Sequence, residues 1–143
     1  MKALLASLVL ALLAACAAQP HALTLIDLET DQYLVTERRR LPVDFAEVQQ
    51  ALFKHEALCG QTFVFEMAPN SSAYGRVVYR PTPDAGWDRS VVISLVLLHN
   101  RSVNAKAYSY YSGQLETIYQ MFSAMMKPEV CGIADGWENT FSH

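Results

Sequence analysis

The sequence predicts an α+β domain in which an antiparallel β-sheet is packed by two α-helices. The sheet is expected to be a four-stranded meander plus one or two N-terminal strands. Two observations mark the helices: a capped amphipathic segment at 44–58, and a stripe of large apolar residues after Ser112. A third marks the sheet: four β-rich runs lie between those helices, separated by turns short enough for hairpins.

Residues 23–29 (LTLIDLE) and 33–37 (YLVTE) are rich in β-formers. They read as two short strands or one bent extended segment. The Arg38-Arg39-Arg40 run then ends the extended region; it reads as a solvated turn, with an anion site as the functional alternative. The first helix has a defined start. Asp44 stands at the N-cap and Glu47 at N3, a capping box, with Val43 and Val48 at the places of a hydrophobic staple. Phe45, Val48, Leu52 and Cys59 fall on one face, while Glu47, Gln50, Lys54 and Glu56 supply the wet side. His55 reads as a residue of the polar flank, and Gly60 as the stop.

In the run 62–68, Phe63, Phe65 and Met67 alternate with Thr62, Val64 and Glu66. A turn at 69–72 leads to a strand at 74–80, with Gly75 at a bulge. The loop 81–88 carries an exposed Trp87. Residues 90–99 are nearly all apolar and read as a central strand covered on both faces. Asn100-Arg101 turns the chain into a fourth strand at 103–111. From Ser112 onward, Leu115, Ile118, Tyr119, Phe122, Met125 and Met126 recur at spacings of three and four until Pro128 stops the helix. That Met-rich stripe suits a core; a partner surface is the other reading.

The N-terminus reads as an address. Lys2 supplies a positive start, and residues 3–15 contain only Ala, Leu, Val and one Ser. A membrane span needs about 20 apolar residues, so this run has signal-peptide length instead. Leu13-Ala14-Ala15-Cys16 resembles the lipobox of bacterial lipoproteins, in which the cysteine is acylated and becomes the new N-terminus. An ordinary cleaved signal is the alternative. The resemblance implies a signal peptide at 1–15, lipid attachment at Cys16, a tether at 16–22 and one α+β domain at 23–143. Ala17, not Asp, follows the cysteine, which in that family implies periplasm-facing anchorage at the outer membrane.

Composition narrows the chemistry. The net charge of −3 and the absence of a basic stripe argue against a nucleic-acid partner. The chain has 3 Cys. If Cys16 carries lipid, Cys59 and Cys131 remain to pair as a disulfide in an oxidising compartment; two buried thiols are the alternative. No C-x-x-C, G-x-S-x-G or H-x-x-x-H occurs, and the 6 Gly form no phosphate-cradling cluster. Four histidines (His21, His55, His99 and His143) are scattered. The expectation is therefore a non-enzymatic domain with no metal and no cofactor. Two stretches place an aromatic among carboxylates and stand as partner-binding candidates: Asp84, Trp87 and Asp88, and Asp135, Trp137 and Glu138. The structural reading of each Trp is that it folds back over a sheet edge or core end.

The run from Arg89 through Lys127 resembles the closing half of PsbP-like domains, including small DcrB-type lipoproteins. There an apolar strand, a tight turn, a small-residue strand and a long amphipathic helix follow in that order. The resemblance implies that fold and no activity; the disulfide is a departure from it. In size, lipobox and location the chain also resembles periplasmic immunity lipoproteins of type VI secretion. That resemblance implies a protein partner, a muramidase or amidase effector, blocked by occupation of its cleft. The DcrB-type resemblance implies an envelope maintenance or assembly role without a toxin partner.

Overall fold

The computed structural model describes residues 22–30 and 35–135. The leader with Cys16 lies outside the described residues, as do Trp137 and Glu138. The chain is an α+β domain. Its sheet has five strands: β1 (Val35–Leu41), β2 (Val64–Met67), β3 (Tyr74–Tyr79), β4 (Val91–Leu97) and β5 (Val103–Ser109). Their spatial order is β1-β5-β4-β3-β2, and every pair is antiparallel. The α-helices among the described residues are α1 (Leu25–Glu29), α2 (Phe45–Cys59) and α3 (Leu115–Met126).

The expected strand at 23–29 is α1 instead. Thr24 and Asp27 form a capping box: the Thr24 hydroxyl accepts from the Asp27 amide at 3.2 Å, and the Asp27 carboxylate accepts from the Thr24 amide at 2.9 Å. Leu25 and Leu28, three apart, then face the same way. Leu28 is fully buried against Val78, Val92 and Tyr108. The Arg38-Arg39-Arg40 run is likewise corrected. It is the middle of β1, an edge strand that continues to a buried Leu41. Charge along an outermost strand is a common device against edge-to-edge association.

The capping box at Asp44 is present, with Gly60 closing α2 in the left-handed region at φ 70°. Val48 and Leu52 of α2 join Ile118, Met121, Phe122 and Met125 of α3 over one face of the sheet, where Val77, Val91, Ile93, Leu95, Val103, Ala105 and Ala107 point. The α3 stripe is therefore core. Each large aliphatic or aromatic side chain buried here contributes about 1.5–3 kcal/mol. Gly75 sits in regular register between Met67 and Leu95, not at a bulge. A Cβ there would stand 3.1 Å from the Phe65 ring, which lies across the glycine.

The β4–β5 connection is a three-residue loop in which the Leu98 amide donates to the Ser102 carbonyl at 2.8 Å and the Arg101 amide to the Leu98 carbonyl at 3.1 Å. Arg101 takes the left-handed position of that loop, at φ 57°. Its guanidinium donates to Asp44 Oδ2 at 2.7 and 3.2 Å, tying the hairpin to the start of α2. That hydrogen bond first, and the Glu47 amide second, hold the Asp44 carboxyl below its ordinary value. A depressed carboxylate stabilises the fold above its unfolded pKa of about 3.9, and the contribution is lost as pH falls through the folded value. Arg101→Ala is therefore expected to raise the Asp44 titration midpoint, followed by carboxyl carbon NMR. An unmoved midpoint would assign the depression to the helix cap alone.

Candidate functional site

The two faces of the sheet are unequally covered. On the face away from α2 and α3, α1 shields only the end of the sheet where Val78, Val92 and Tyr108 lie. β4, expected to be covered on both sides, is covered on its second face only in part: Val92 is buried, whereas Ser94 and Val96 are partly exposed. The strand registers set two open rows beyond α1. One runs Arg38, Lys106, Ser94, Arg76, Glu66 across all five strands; the next runs Arg40, Asn104, Val96, Tyr74. Alternation puts these side chains on the same side because each strand contributes every second residue.

A depression of about 470 Å³ lies at the β1 end of these rows, lined by Arg38, Arg40, Ser94, Asn104, Lys106 and Tyr108 among others. Its polar groups are partly organised. Arg40 Nε donates to Ser102 Oγ at 3.3 Å, and that hydroxyl donates to Asn100 Oδ1 at 2.7 Å. The Lys106 ammonium sits 4.8 Å from the centroid of the Tyr108 ring. Ser94 donates to Glu29 at 2.7 Å, which joins α1 to the floor of the depression. Among the described residues, neither Arg38 nor Arg40 is ion-paired.

At the opposite edge, β2 pairs among the described residues only with β3, which leaves its outer backbone groups without a strand partner there. Exposed apolar side chains gather nearby: Phe53 of α2 is 74% exposed, Tyr74 54%, Val64 49% and Met67 45%. Phe53, Val64 and Phe65 share a cleft of about 200 Å³ between α2 and the edge strand. Open apolar surface along an unpaired strand edge is a feature that proteins normally suppress unless it is used.

Of the residues singled out from sequence, Cys59 and Cys131 are brought together as a disulfide, with Cα atoms 5.2 Å apart. Trp87, expected to be exposed, is half-buried: it packs against the cluster under α1, with the Arg80 guanidinium 4.4 Å from its ring centroid. Asp84 is exposed, and hydrogen bonding from Thr82 holds its carboxyl below the ordinary range. Asp88 stays with Trp87 in one short 3-10 turn, Trp87–Arg89. Asp135 is exposed.

His55, expected on the polar flank, is fully buried. Its ring stacks on Phe63 at 5.6 Å, and Nδ1 lies 3.1 Å from the Pro128 carbonyl. A carbonyl only accepts, so Nδ1 carries the hydrogen. The signal for this was in the spacing: Val48, Leu52, His55 and Cys59 follow one another at four, three and four. The open basic rows had no local signal, because they form only when residues 38 and 106 are paired across the sheet. No described helix is long and apolar enough to cross a membrane. Among the described residues no three His, Cys, Asp or Glu side chains are placed to hold a metal ion. Compared with known protein families and with curated proteins, the chain matches none.

Proposed function

We propose that this chain is a lipid-anchored envelope protein, held through Cys16, whose domain binds another protein without catalysing a reaction. The observation that carries the reading is the set of exposed apolar side chains, Phe53, Val64 and Met67, at the open β2 edge. A strand edge offers main-chain hydrogen bonds to an incoming segment, and flanking apolar side chains supply the burial that makes such a contact specific. The Cys59–Cys131 bridge suits an oxidising compartment. The lipobox supports the periplasmic face of the outer membrane as the location. The partner we favour is a secreted peptidoglycan-degrading toxin, which makes the chain an immunity protein; the PsbP-like reading of the fold belongs to the same proposal. A membrane tether would raise the inhibitor's effective concentration where such a toxin acts.

The test is capture from periplasmic extract on the immobilised protein. Stoichiometric recovery of a muramidase or amidase whose activity falls on binding supports the reading. Recovery of only envelope-assembly components sinks it and favours the maintenance role. Phe53→Asp is expected to weaken the recovered complex by about 2 kcal/mol or more, the scale of an interface anchor, and calorimetry reads that loss.

A further inference from the structure

The basic end of the open rows carries chemistry that the apolar β2 edge does not use. Arg38, Arg40, Arg76 and Lys106 share one face, out of 11 Lys and Arg in an otherwise acidic chain. Neighbouring strands are about 4.8 Å apart and alternate residues about 7 Å, so Arg38, Lys106, Asn104 and Arg40 stand at the corners of a rectangle of about 5 by 7 Å. They surround the depression of about 470 Å³. At its floor the Glu29 carboxylate accepts the Ser94 hydroxyl.

We propose that this depression is a binding site for a phosphoryl group. The two guanidinium forks of Arg38 and Arg40 are more than one carboxylate can satisfy, because a carboxylate presents a single pair of oxygens. A phosphate monoester presents three non-bridging oxygens, enough for both forks with an edge left for Lys106 or the Asn104 amide. Arg40 is pre-oriented through Nε by Ser102, which leaves its terminal nitrogens for the ligand. Lys106 is steadied over Tyr108. The volume suits the rest of a small phosphorylated molecule or a lipid headgroup. The site lies on β1, β4 and β5, away from the β2 edge, and so stands independently of the toxin reading.

The experiment uses the full chain carrying Cys16→Ser, so that no acyl chain contributes. Calorimetry with glycerol 3-phosphate and glycerol 2-phosphate, and flotation with vesicles of phosphatidylcholine alone or mixed with phosphatidic acid, whose headgroup is a phosphate monoester, supply the probes. Binding is expected to weaken about tenfold for each arginine removed in Arg38→Gln and Arg40→Gln, while Lys54→Gln on the far side changes nothing. It should also weaken as ionic strength rises. Binding of the free esters without preference for anionic vesicles marks a soluble phosphorylated ligand. An arginine-dependent preference for the anionic vesicles marks a lipid headgroup. Absence of binding, binding that both arginine variants retain, or tighter binding of a polyglutamate peptide would overturn the proposal, the last in favour of an acidic protein surface. Circular dichroism checks that each variant folds, and Lys106→Gln repeats the test where an arginine variant does not.

Discussion

Replacing both bridging cysteines, Cys59→Ser with Cys131→Ser, is expected to lower the stability of the domain by about 4 kcal/mol. The size follows from the loop. The bridge joins residues 72 apart, and a cross-link of that span removes a large share of the unfolded chain's conformational freedom. The segment after α3 is also anchored by Ile133, packed on the main core, and by buried Ala134. Lys54 and Glu129 approach to 3.4 Å, but both are more than half exposed, so solvent screens the pair and it adds little. The Pro128 carbonyl accepts from His55, and the Ala134 amide donates to Ser123 Oγ at 2.8 Å. The bridge itself ties the last residue of α2 to this segment, next to the buried His55–Phe63 stack. For a domain of this size the melting temperature should fall on the order of 15 °C. Differential scanning calorimetry of the oxidised protein and the double variant reads the change. Mass spectrometry without reductant should find the Cys59 and Cys131 peptides joined. Equal melting temperatures would show that α2 and α3 hold the segment without the cross-link.

The parts of the fold legible in sequence are those set by local chemistry. Asp44 and Glu47 announce the start of α2 because a capping box needs only four consecutive residues. The β2–β3 and β4–β5 hairpins follow from short turns between β-rich runs, and α3 from the spacing of Ile118, Phe122 and Met125. The errors also have local causes. LTLIDLE alternates well enough to pass for a strand, and its Thr24–Asp27 box, with Asp in place of the usual Glu or Gln, is a quieter signal than the apolar count. The type of His55 points to the wet flank of α2, whereas its place in the apolar stripe points to the core. Three charges in a row at Arg38-Arg39-Arg40 contradict a buried strand and so suggest a turn. They do not contradict an edge strand with one open face. The candidate site was illegible for a different reason. Arg38 and Lys106 are neighbours only through the β1–β5 pairing, which closes the sheet across most of the chain, and no local pattern encodes that choice.

Phe122→Ala tests the larger core, and Leu28→Ala tests whether the sheet holds two cores rather than one. Phe122 is fully buried among the residues that α2, α3 and the inner sheet face contribute. Truncating it removes the ring's transfer free energy and leaves a cavity that the rigid strands beneath cannot close, a loss of about 3–5 kcal/mol. Leu28 is also fully buried, but in the separate cluster with Val78, Val92 and Tyr108 on the opposite face. Its truncation is expected to cost about 2–4 kcal/mol and to loosen α1, whose single buried residue it is. The β-sheet stands between the two side chains, and the clusters share no member. The double variant should therefore lose the sum of the two single losses to within about 0.5 kcal/mol. Urea unfolding of the two single variants and the double closes the cycle. A coupling above about 1 kcal/mol would mean that α1 and the α2–α3 layer unfold as one packed unit through the sheet, and the division of the core by face would have to be abandoned.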